Sequence, residues 1–385
     1  MPPRDPEEVH RAATPLELFF DLVFVVAVAA AAGQLHHAIS ADHVADGLLN
    51  YALVFFAIWW AWMGFTWFAT TYDTDDVPYR IVIFIQITGA LMLAAGVPDA
   101  FGGDWTVVTY GFVVMRAAMV FQWLRAAAHH PEGRAAAYRY AMGITVMQIY
   151  WVALLQAPPE YIVALFVGGA IGELAVPVWA SRAIDGAPWH DGHIAERYGL
   201  FTIIVLGESI LAASAAIDTA SDASVPWREI LPTIIGGLLV VFSLWWLYFG
   251  RPMTDRLANM GSAFFWGYGH YFIFGSGAAV GAGLAVLVDY DTGHAEISGV
   301  TAGYALAVPV AIFLISLWAM HFRPGNSLTQ HLVLPIGVVA VLLTPYSGEP
   351  ALACGLILAV ALGFKLYRYY VARLDAGEDR SAQSC

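Results

Sequence analysis

The chain has 385 residues, of which 59% are hydrophobic and only 12% are charged. About a quarter of the residues in a soluble domain are charged. This difference and the mean hydropathy of +0.66 exclude an ordinary soluble protein and indicate an integral membrane protein. Cys354 and Cys385 give no metal-binding spacing and no disulfide framework. The polar N-terminus carries no signal-peptide pattern, so we expect no cleavage there.

Long apolar segments follow one another along the whole chain. A helix needs about 20 mostly apolar residues to cross a bilayer. The connections are short, which leaves no room for an inserted soluble domain. We therefore predict an all-α polytopic membrane protein with about 12 transmembrane helices, embedded in the lipid bilayer and without a nucleic-acid partner. The predicted segments lie at residues 15–38, 47–70, 79–97, 105–127, 136–156, 160–180, 194–216, 229–250, 260–288, 299–321, 328–345 and 350–371.

The basic residues lie almost entirely on one side of these segments. Of the 17 Lys and Arg residues, 15 lie on one side, in loops or toward segment ends, Arg228 alone lies in a loop on the opposite side, and Arg116 alone lies halfway along a segment. The positive-inside rule then places both termini in the cytoplasm of a multi-pass protein of the bacterial inner membrane. The opposite face is acidic. We interpret it as a solvated loop surface in preference to a rim that concentrates cations.

Sequence features of the first six segments recur in the last six. Glu17 and Glu196 open the first and seventh segments, and Trp pairs at 59–60 and 245–246 occur in the second and eighth. Six is an even number, so the two halves would share one orientation, as in the parallel repeats of some transporters. This 6+6 repeat predicts a tail at residues 1–14, a first repeat at 15–182, a second repeat at 183–372 and a tail at 373–385.

Two carboxylates stand four residues apart in the first segment. Glu17 and Asp21 share one helix face, so either a cation lies between them or one of them is protonated. A charge near the bilayer centre costs about 2.5–3.5 kcal/mol on insertion scales and normally faces a partner. One interpretation of Glu17 is structural: a carboxylate at a helix N-terminus interacts favourably with the helix dipole. Asp21 lies one turn deeper, and we expect it to face the protein interior.

A third acid lies near the middle of the seventh segment. Glu208 follows Gly207, which would let another backbone approach, and it precedes Ser209. Arg116 is the expected partner, in an Arg116–Glu208 or an Arg116–Asp21 pair, because a guanidinium can bind a carboxylate through two hydrogen bonds. Such a pair can also serve structure alone.

Two more ionisable residues lie inside segments. Glu173 stands beside Gly172 and before Pro177, which we expect to loosen the sixth segment. His270 lies in a Gly-rich run of the ninth segment. A hydrogen-bonded core histidine is the plain interpretation, and a group that titrates near neutral pH is the alternative.

The start of the seventh segment is rich in polar side chains. His193 and Arg197 share one helix face. His190, His193 and Glu196 are spaced three apart, which would suit a metal only if the stretch were helical. We expect residues 191–192 to break it. The sequence therefore predicts no metal site, and no motif indicates a cofactor.

Two stretches, PLELFFDLVFVVAVA at 15–29 and HIAERYGLFTIIVLGESI at 193–210, resemble the signature segments of the bacterial low-temperature-requirement A (LtrA) family. The resemblance implies a polytopic membrane protein that is linked by name to growth in the cold. It implies no settled substrate. The matching positions are Glu17, Phe20, Asp21, Phe24, His193, Glu196, Arg197, Gly199, Gly207, Glu208 and Ser209.

The leading functional hypothesis is a proton- or cation-coupled transporter of a small solute. In it, Asp21, Glu208 and Arg116 line a cavity between the halves, and one acid binds the coupling ion. The alternatives are a cation channel, a membrane-embedded enzyme of lipid chemistry and a sensor or structural protein. No nucleophile–base arrangement favours an enzyme, and a homo-oligomer is compatible with the sequence. The candidate site residues are Glu17, Asp21, Arg116, Glu173, His193, Glu196, Arg197, Glu208, Ser209 and His270.

Overall fold

The computed structural model describes residues 1–5, 8, 11–183, 189–222, 226–250, 257, 259–321 and 328–382, and this part of the chain is helical without strands. Each of the twelve predicted segments overlaps a long helix. The short helix α4 was not predicted, nor were the 3₁₀ turns at 159–161 and 344–346. The helices are α1 Pro15–Ser40, α2 Val44–Tyr72, α3 Val77–Ala95, α4 Val97–Phe101, α5 Thr106–His129, α6 Arg134–Leu154, α7 Ile162–Ser181, α8 Asp191–Asp222, α9 Trp227–Phe249, α10 Met260–Asp291, α11 Gly299–His321, α12 Leu328–Leu343 and α13 Pro350–Ala382.

Within the described ranges, nine helices are long and apolar enough to cross a membrane. Helices α6, α8 and α12 are not among them. Arg134 and Arg139 lower the hydropathy of α6, the acids and Arg197 lower that of α8, and α12 is short. The twelve-span count, the 6+6 repeat and the cytoplasmic placement of both termini stay predictions. Three of the arginines behind that placement, Arg251, Arg256 and Arg323, lie outside the described residues.

Local sequence signals set the starts of two helices near the candidate site. The Thr14 hydroxyl accepts a hydrogen bond from the Glu17 amide at 3.3 Å, and the Glu17 carboxylate accepts one from the Thr14 amide at 2.8 Å. This reciprocal pair is a capping box, with Pro15 in the first helical turn. Asp76 caps α3 by accepting from the Tyr79 amide at 2.9 Å. Glu17 thus serves the helix start, as the sequence suggested.

The chain divides into two compact units. The first comprises Met1–Leu35, Val44–Val205 and Met253–Tyr271, and the second comprises His36–His43, Leu206–Pro252 and Phe272–Cys385.

In the first unit, α2 is buried along most of its length and presents different side chains to different neighbours. Helices α3 and α5 approach closely where two glycines face each other. A Cβ atom on Gly89 would lie 2.7 Å from the carbonyl oxygen of Gly111. Small residues allow such backbone contact between membrane helices. This packing holds α5, and with it Arg116, in a fixed position.

In the second unit, α9 packs tightly against the start of α13. A Cβ atom on Gly236 would lie 2.2 Å from the backbone carbon of Ala351, so only glycine fits there. The same kind of contact joins α10 to α11, where a Cβ atom on Gly283 would lie 2.2 Å from the Ala305 oxygen. Close backbone packing therefore accounts for several glycines of the apolar segments.

Candidate functional site

Buried charges join α1 to α8 in the first unit. The Arg197 Nε atom donates to Asp21 Oδ2 at 2.9 Å, and its Nη2 atom donates to Asp21 Oδ1 at 2.6 Å. Its Nη1 atom lies 2.9 Å from Glu17 Oε1. The cation expected between the two carboxylates is therefore Arg197. We use the name Arg197 cluster for these residues and their close polar partners, namely Glu17, Asp21, Trp62, Thr66, His193 and Arg197.

Helix α2 completes this cluster from a third side. Trp62 donates its indole N–H to Asp21 Oδ1 at 2.7 Å, and Arg197 Nη2 donates to the Thr66 hydroxyl at 3.3 Å. The Arg197 guanidinium also lies 5.7 Å from the centre of the Phe65 ring. Asp21, Thr66 and Arg197 are each 0% exposed. Protein atoms therefore enclose the cluster, in which two carboxylates surround one guanidinium, while Arg197 Nη1 and Glu17 Oε1 are paired by charge at 2.9 Å without a hydrogen bond among the described residues.

The formal charge of the Arg197 cluster depends on His193. Its Nε2 atom lies 3.2 Å from Glu17 Oε2, and the ring is fully buried. Two carboxylates face one guanidinium, so the ionised cluster carries one excess negative charge unless a proton resides on His193 or on an acid. A buried uncompensated charge is costly. The Glu17–His193 contact is thus the place in this cluster where a proton would balance the charge.

Helix α8 begins differently from the expectation. The sequence suggested that residues 191–192 break the stretch, but α8 starts at Asp191. His190 caps it, because its Nδ1 atom accepts the His193 amide at 3.0 Å. The other ring nitrogen of His190 therefore donates to the Glu8 carbonyl at 2.7 Å. Glu196 is exposed and accepts the Ala13 amide at 3.3 Å, so it stands outside the buried cluster.

A second buried ion pair links α5 to α7. Arg116 Nη2 donates to Glu173 Oε2 at 2.9 Å. The indole N–H groups of Trp60 and Trp151 donate to the same carboxylate at 2.8 and 3.0 Å. The Arg116 side chain lies over the Phe112 ring, at 5.0 Å from its centre. Three N–H donors thus fix the Glu173 carboxylate. The Arg116 guanidinium supplies one of them, through Nη2.

This second pair borders a cavity, and the residues of the Arg197 cluster are not among the described residues that line it. The cavity has a volume of about 100 Å³ and runs along α2 from Trp60 to Tyr72, about 18 Å of helix. Among the described residues that line it, Arg116 and Glu173 carry the charges. Its other walls are mainly aromatic, with lining side chains that include Trp67, Phe68, Trp123, Tyr140, Trp189, Phe264 and Tyr268.

Gly64 and Pro177 line the cavity together with the ion pair. A Cβ atom on Gly64 would lie 3.6 Å from Arg116 Nη1, so this glycine leaves one edge of the guanidinium uncovered by a side chain. Pro177 lies inside α7, which continues through it. The proline removes the hydrogen bond that residue 177 would donate to the carbonyl of Glu173.

The structure gives Arg116 a partner that was not predicted. Arg116 pairs with Glu173, and Asp21 pairs with Arg197, so the predicted Arg116–Asp21 pair does not form. Glu208 belongs to the second unit, and its pairing with Arg116 stays a prediction. From the sequence we predicted a loosened helix around Glu173 and no cationic partner for its carboxylate. Sequence spacing fixes neighbours on one helix, but it does not say which helices meet.

The remaining candidates lie elsewhere. Glu208 is 8% exposed, and its Oε2 atom has no hydrogen-bond partner among the described residues. Among the described residues outside its own stretch of α8, no atom lies within 4 Å of a Cβ built on Gly207, so the expected close approach is not found there. It occurs at Ser209 instead, whose hydroxyl donates to the Gly277 carbonyl at 2.9 Å and whose Cα lies 2.8 Å from a Cβ built on Gly281. Ser209 is thus a packing residue between α8 and α10.

His270 has the environment of a core histidine. Its Nδ1 atom contacts the Trp266 carbonyl at 2.7 Å, and its ring packs 4.8 Å from Tyr198. A carbonyl only accepts, so Nδ1 carries the proton. These contacts agree with the plain interpretation of the sequence.

Sequence reasoning missed the indole donors. Trp60 was noticed only as part of a repeated Trp pair, and Trp62 stands two residues after it, yet each donates to a buried carboxylate. A signal was present, because a Trp in a buried helix must find an acceptor for its N–H, and the buried acids are the strongest acceptors available. Thr66 and Trp151 carried no comparable signal.

Comparison with known proteins decides the family. The model of the bacterial low temperature requirement A protein (LtrA) family matches residues 12–365. The chain belongs to the LtrA family. An uncharacterized protein of Rhizobium meliloti (strain 1021) is 26% identical over 325 residues, which cover 78% of this chain and 75% of the relative. No solved structure gives a significant match.

The family match agrees with the resemblance of the two signature stretches. These stretches supply much of the Arg197 cluster, with Glu17 and Asp21 in the first and His193 and Arg197 in the second. Together with the apolar helices, the match identifies a multi-pass membrane protein of the LtrA family.

Proposed function

We propose that this LtrA-family protein is a transporter of a small solute coupled to protons or another cation, located in the bacterial inner membrane. The solute binds in the aromatic cavity against Arg116 and Glu173. The observation that carries the proposal is this pairing of a buried ion pair with a cavity. Charged residues inside a membrane protein normally mark a pathway or a site when they face space that a ligand can enter.

The cavity has the composition of a small-molecule site. Such sites are mostly apolar and aromatic, with few polar groups that fix orientation. Here the polar groups are held in place, because Trp60 and Trp151 anchor the carboxylate that in turn holds Arg116. In the orientation that the basic loops predict, the Tyr72 end of the cavity points toward the cytoplasm.

The coupling role falls to the Arg197 cluster in this proposal. Glu17, Asp21 and Arg197 leave one negative charge to balance, and His193 contacts Glu17 at 3.2 Å. A proton taken up there would change the cluster from charged to neutral. Helix α2 bridges both regions, with Trp62 at the cluster and Trp60 at the cavity.

A structural role is the second candidate, and one observation favours it for part of the molecule. The Arg197 cluster is completely enclosed and joins three helices. Ion pairs of this kind can serve helix packing alone. In that case the cluster would contribute to stability and not to coupling.

Flux measurements test the proposal. The purified protein is reconstituted in liposomes that contain a pH dye, and proton and cation gradients are imposed with panels of small solutes outside. We expect a solute-dependent proton or cation flux in the wild type. The double variant Arg116→Gln/Glu173→Gln should lose it, because both charged cavity groups become neutral while the amides keep hydrogen-bonding capacity.

The matched control is Arg80→Gln. Arg80 forms an exposed pair with Asp75 at 2.6 Å and is not among the described residues that line the cavity. Its loss should leave flux unchanged. A wild type without flux under every gradient, together with normal folding, would contradict the transporter proposal and favour the structural role.

A further inference from the structure

The two charged groups of the cavity, Glu173 and Arg116, differ in how many further hydrogen bonds each can form. Glu173 Oε2 accepts from both Trp60 and Arg116, and Oε1 accepts from Trp151. A carboxylate oxygen that accepts two bonds has little capacity left. The anionic partner of the pair is therefore largely satisfied by protein donors.

Arg116 has donors to spare. The structure gives one hydrogen bond from its guanidinium to Glu173, through Nη2, although a guanidinium has five N–H donors. Its Nε atom is buried without a hydrogen-bond partner in the part of the chain that the structure describes, and its Nη1 edge faces the space left by Gly64. Both Gly64 and Arg116 line the cavity. A ligand oxygen that bears negative charge fits this edge best, because charge-assisted hydrogen bonds are the strong ones.

Charge balance limits what such a ligand can be. Arg116 and Glu173 neutralise each other, and no other charged side chain is among the described lining residues. A purely anionic ligand would add an uncompensated charge to a low-dielectric space, which is costly. A ligand with its own positive group keeps the cavity neutral.

The aromatic walls suit that positive group. Trp123 and Tyr140 stack with their ring centres 4.1 Å apart and their planes 6° apart, which makes one wall nearly flat. Trp67, Phe264 and Tyr268 line other parts of the cavity. Aromatic faces attract ammonium and quaternary ammonium groups. These aromatic faces can therefore hold a cationic group without a second carboxylate.

We infer that the cavity binds a small zwitterion of the amino-acid or betaine class. Its carboxylate lies on the free edge of Arg116, and its cationic nitrogen lies among the aromatic rings. This inference rests on the proposed function for the location of the substrate site, and it adds the chemical class of the solute.

Binding to the purified full-length protein in detergent tests the inference without any need for flux. Calorimetric titrations use four probes, namely glycine, trimethylglycine, choline and dimethylbutanoate. Choline keeps the cation of trimethylglycine without its carboxylate, and dimethylbutanoate replaces the charged nitrogen by carbon. We expect at least one zwitterion to bind about tenfold more tightly than both single-charge analogues, which corresponds to about 1.4 kcal/mol.

Variants locate the binding. Arg116→Gln/Glu173→Gln should abolish zwitterion binding while the protein stays monodisperse. Gly64→Ala adds one methyl group at ordinary contact distance from Arg116 Nη1 and should weaken binding without loss of folding. Arg80→Gln is the control on the surface and should bind as the wild type does.

Each other outcome overturns the inference. Equal binding of choline would mean a cation site, and equal binding of dimethylbutanoate would mean an anion site. No binding of either zwitterion to the folded wild type would remove the proposed class. The proposed function fails separately, because zwitterion binding without flux in liposomes would contradict transport alone, and flux of another solute without zwitterion binding would contradict the class alone.

Discussion

The Arg197 cluster and the Arg116–Glu173 pair lie in the same compact unit and touch the same helix, yet their surroundings differ. In the cluster, Arg197 and Asp21 are 0% exposed and enclosed by protein atoms. In the pair, both partners border a cavity of about 100 Å³. Both sites use an arginine, a carboxylate and a tryptophan N–H, so residue type alone does not separate them.

The difference lies in what surrounds each guanidinium. Arg197 lies fully buried among two carboxylates and Thr66, whereas Arg116 binds one carboxylate of the described residues and borders the cavity. A guanidinium enclosed by carboxylates fixes helices and is out of reach of a ligand. A guanidinium beside open space can bind a new partner. The comparison therefore assigns stability mainly to the Arg197 cluster and recognition to the Arg116–Glu173 pair.

The largest expected effect is the loss of Arg197. Arg197→Met would leave Glu17 and Asp21 buried together without a cation, and breaking a buried ion pair costs about 3–5 kcal/mol. We expect the variant to aggregate or to lose most of its thermal stability, as seen by size-exclusion chromatography and thermal melting in detergent. Arg80→Met is the control and should melt as the wild type does. A stable Arg197→Met protein would refute the structural role of the cluster.

The next effect separates folding from function. Arg116→Gln/Glu173→Gln replaces both members of a pair, and such double replacement is close to neutral in stability, within about 1–2 kcal/mol. We expect a folded protein without flux or binding. If the double variant transports normally, the cavity is not the substrate site. If it melts as early as Arg197→Met, the two regions do not differ as proposed.

Sequence alone predicts much of the fold of this protein. Hydropathy located all twelve long helices, since apolar segments of bilayer length have few alternatives. The i, i+4 rule predicted that Glu17 and Asp21 need a cation between them or a proton on one of them. It could not name Arg197, which stands 176 residues away from Asp21, because helix pairing depends on packing between segments distant in the chain.

Packing also explains the errors. Gly207 was expected at a close contact, but the contact occurs at Ser209 and Gly281, since a small residue permits close approach without requiring it. The Arg116–Glu173 pair was not predicted. The depth of a residue along its helix can be predicted from the sequence, whereas the rotation of the helix about its axis cannot. In the structure, α5 is oriented so that Arg116 faces Glu173.

A pair of glycine substitutions sharpens the comparison further. Gly64→Ala places a methyl group 3.6 Å from Arg116 Nη1, an ordinary contact, whereas Gly89→Ala places one 2.6 Å from Met115 Cγ and 2.7 Å from the Gly111 oxygen. We expect Gly64→Ala to fold normally and to bind the zwitterion more weakly than the wild type does. Gly89→Ala should lower the melting temperature, with a cost of about 1–3 kcal/mol from overpacking. Thermal melts and titrations of both variants check this, and equal melting of the two would contradict the stated geometry.

The smallest effect is a pH dependence outside the membrane helices, beside the Arg197 cluster. Asp73 is 4% exposed, and burial, with a further contribution from the charge of Glu17, raises the pKa of its carboxyl to about 6. Its Oδ2 atom lacks a hydrogen-bond partner among the described residues, and the nearest cation atom, Arg4 Nη1, is 3.9 Å away.

The sign of this effect follows from the raised pKa. The folded protein holds the proton of Asp73 more tightly than the unfolded chain does, because the pKa of an aspartate in an unfolded chain is about 3.9. Stability from this group is therefore present at low pH and is lost as the pH rises from about 4 to about 6. Asp73→Asn keeps the acceptor for the Asp75 amide, at 3.1 Å in the wild type, and removes the titrating group. We expect the variant to melt like the wild type at pH 4 and to be more stable at pH 7, by about 1 kcal/mol after allowance for solvent screening. A difference between the two proteins that does not change between pH 4 and pH 7 would show that Asp73 does not titrate in this range. The cluster would then have no titrating neighbour at this position, and its charge balance would rest on His193 and the acids alone.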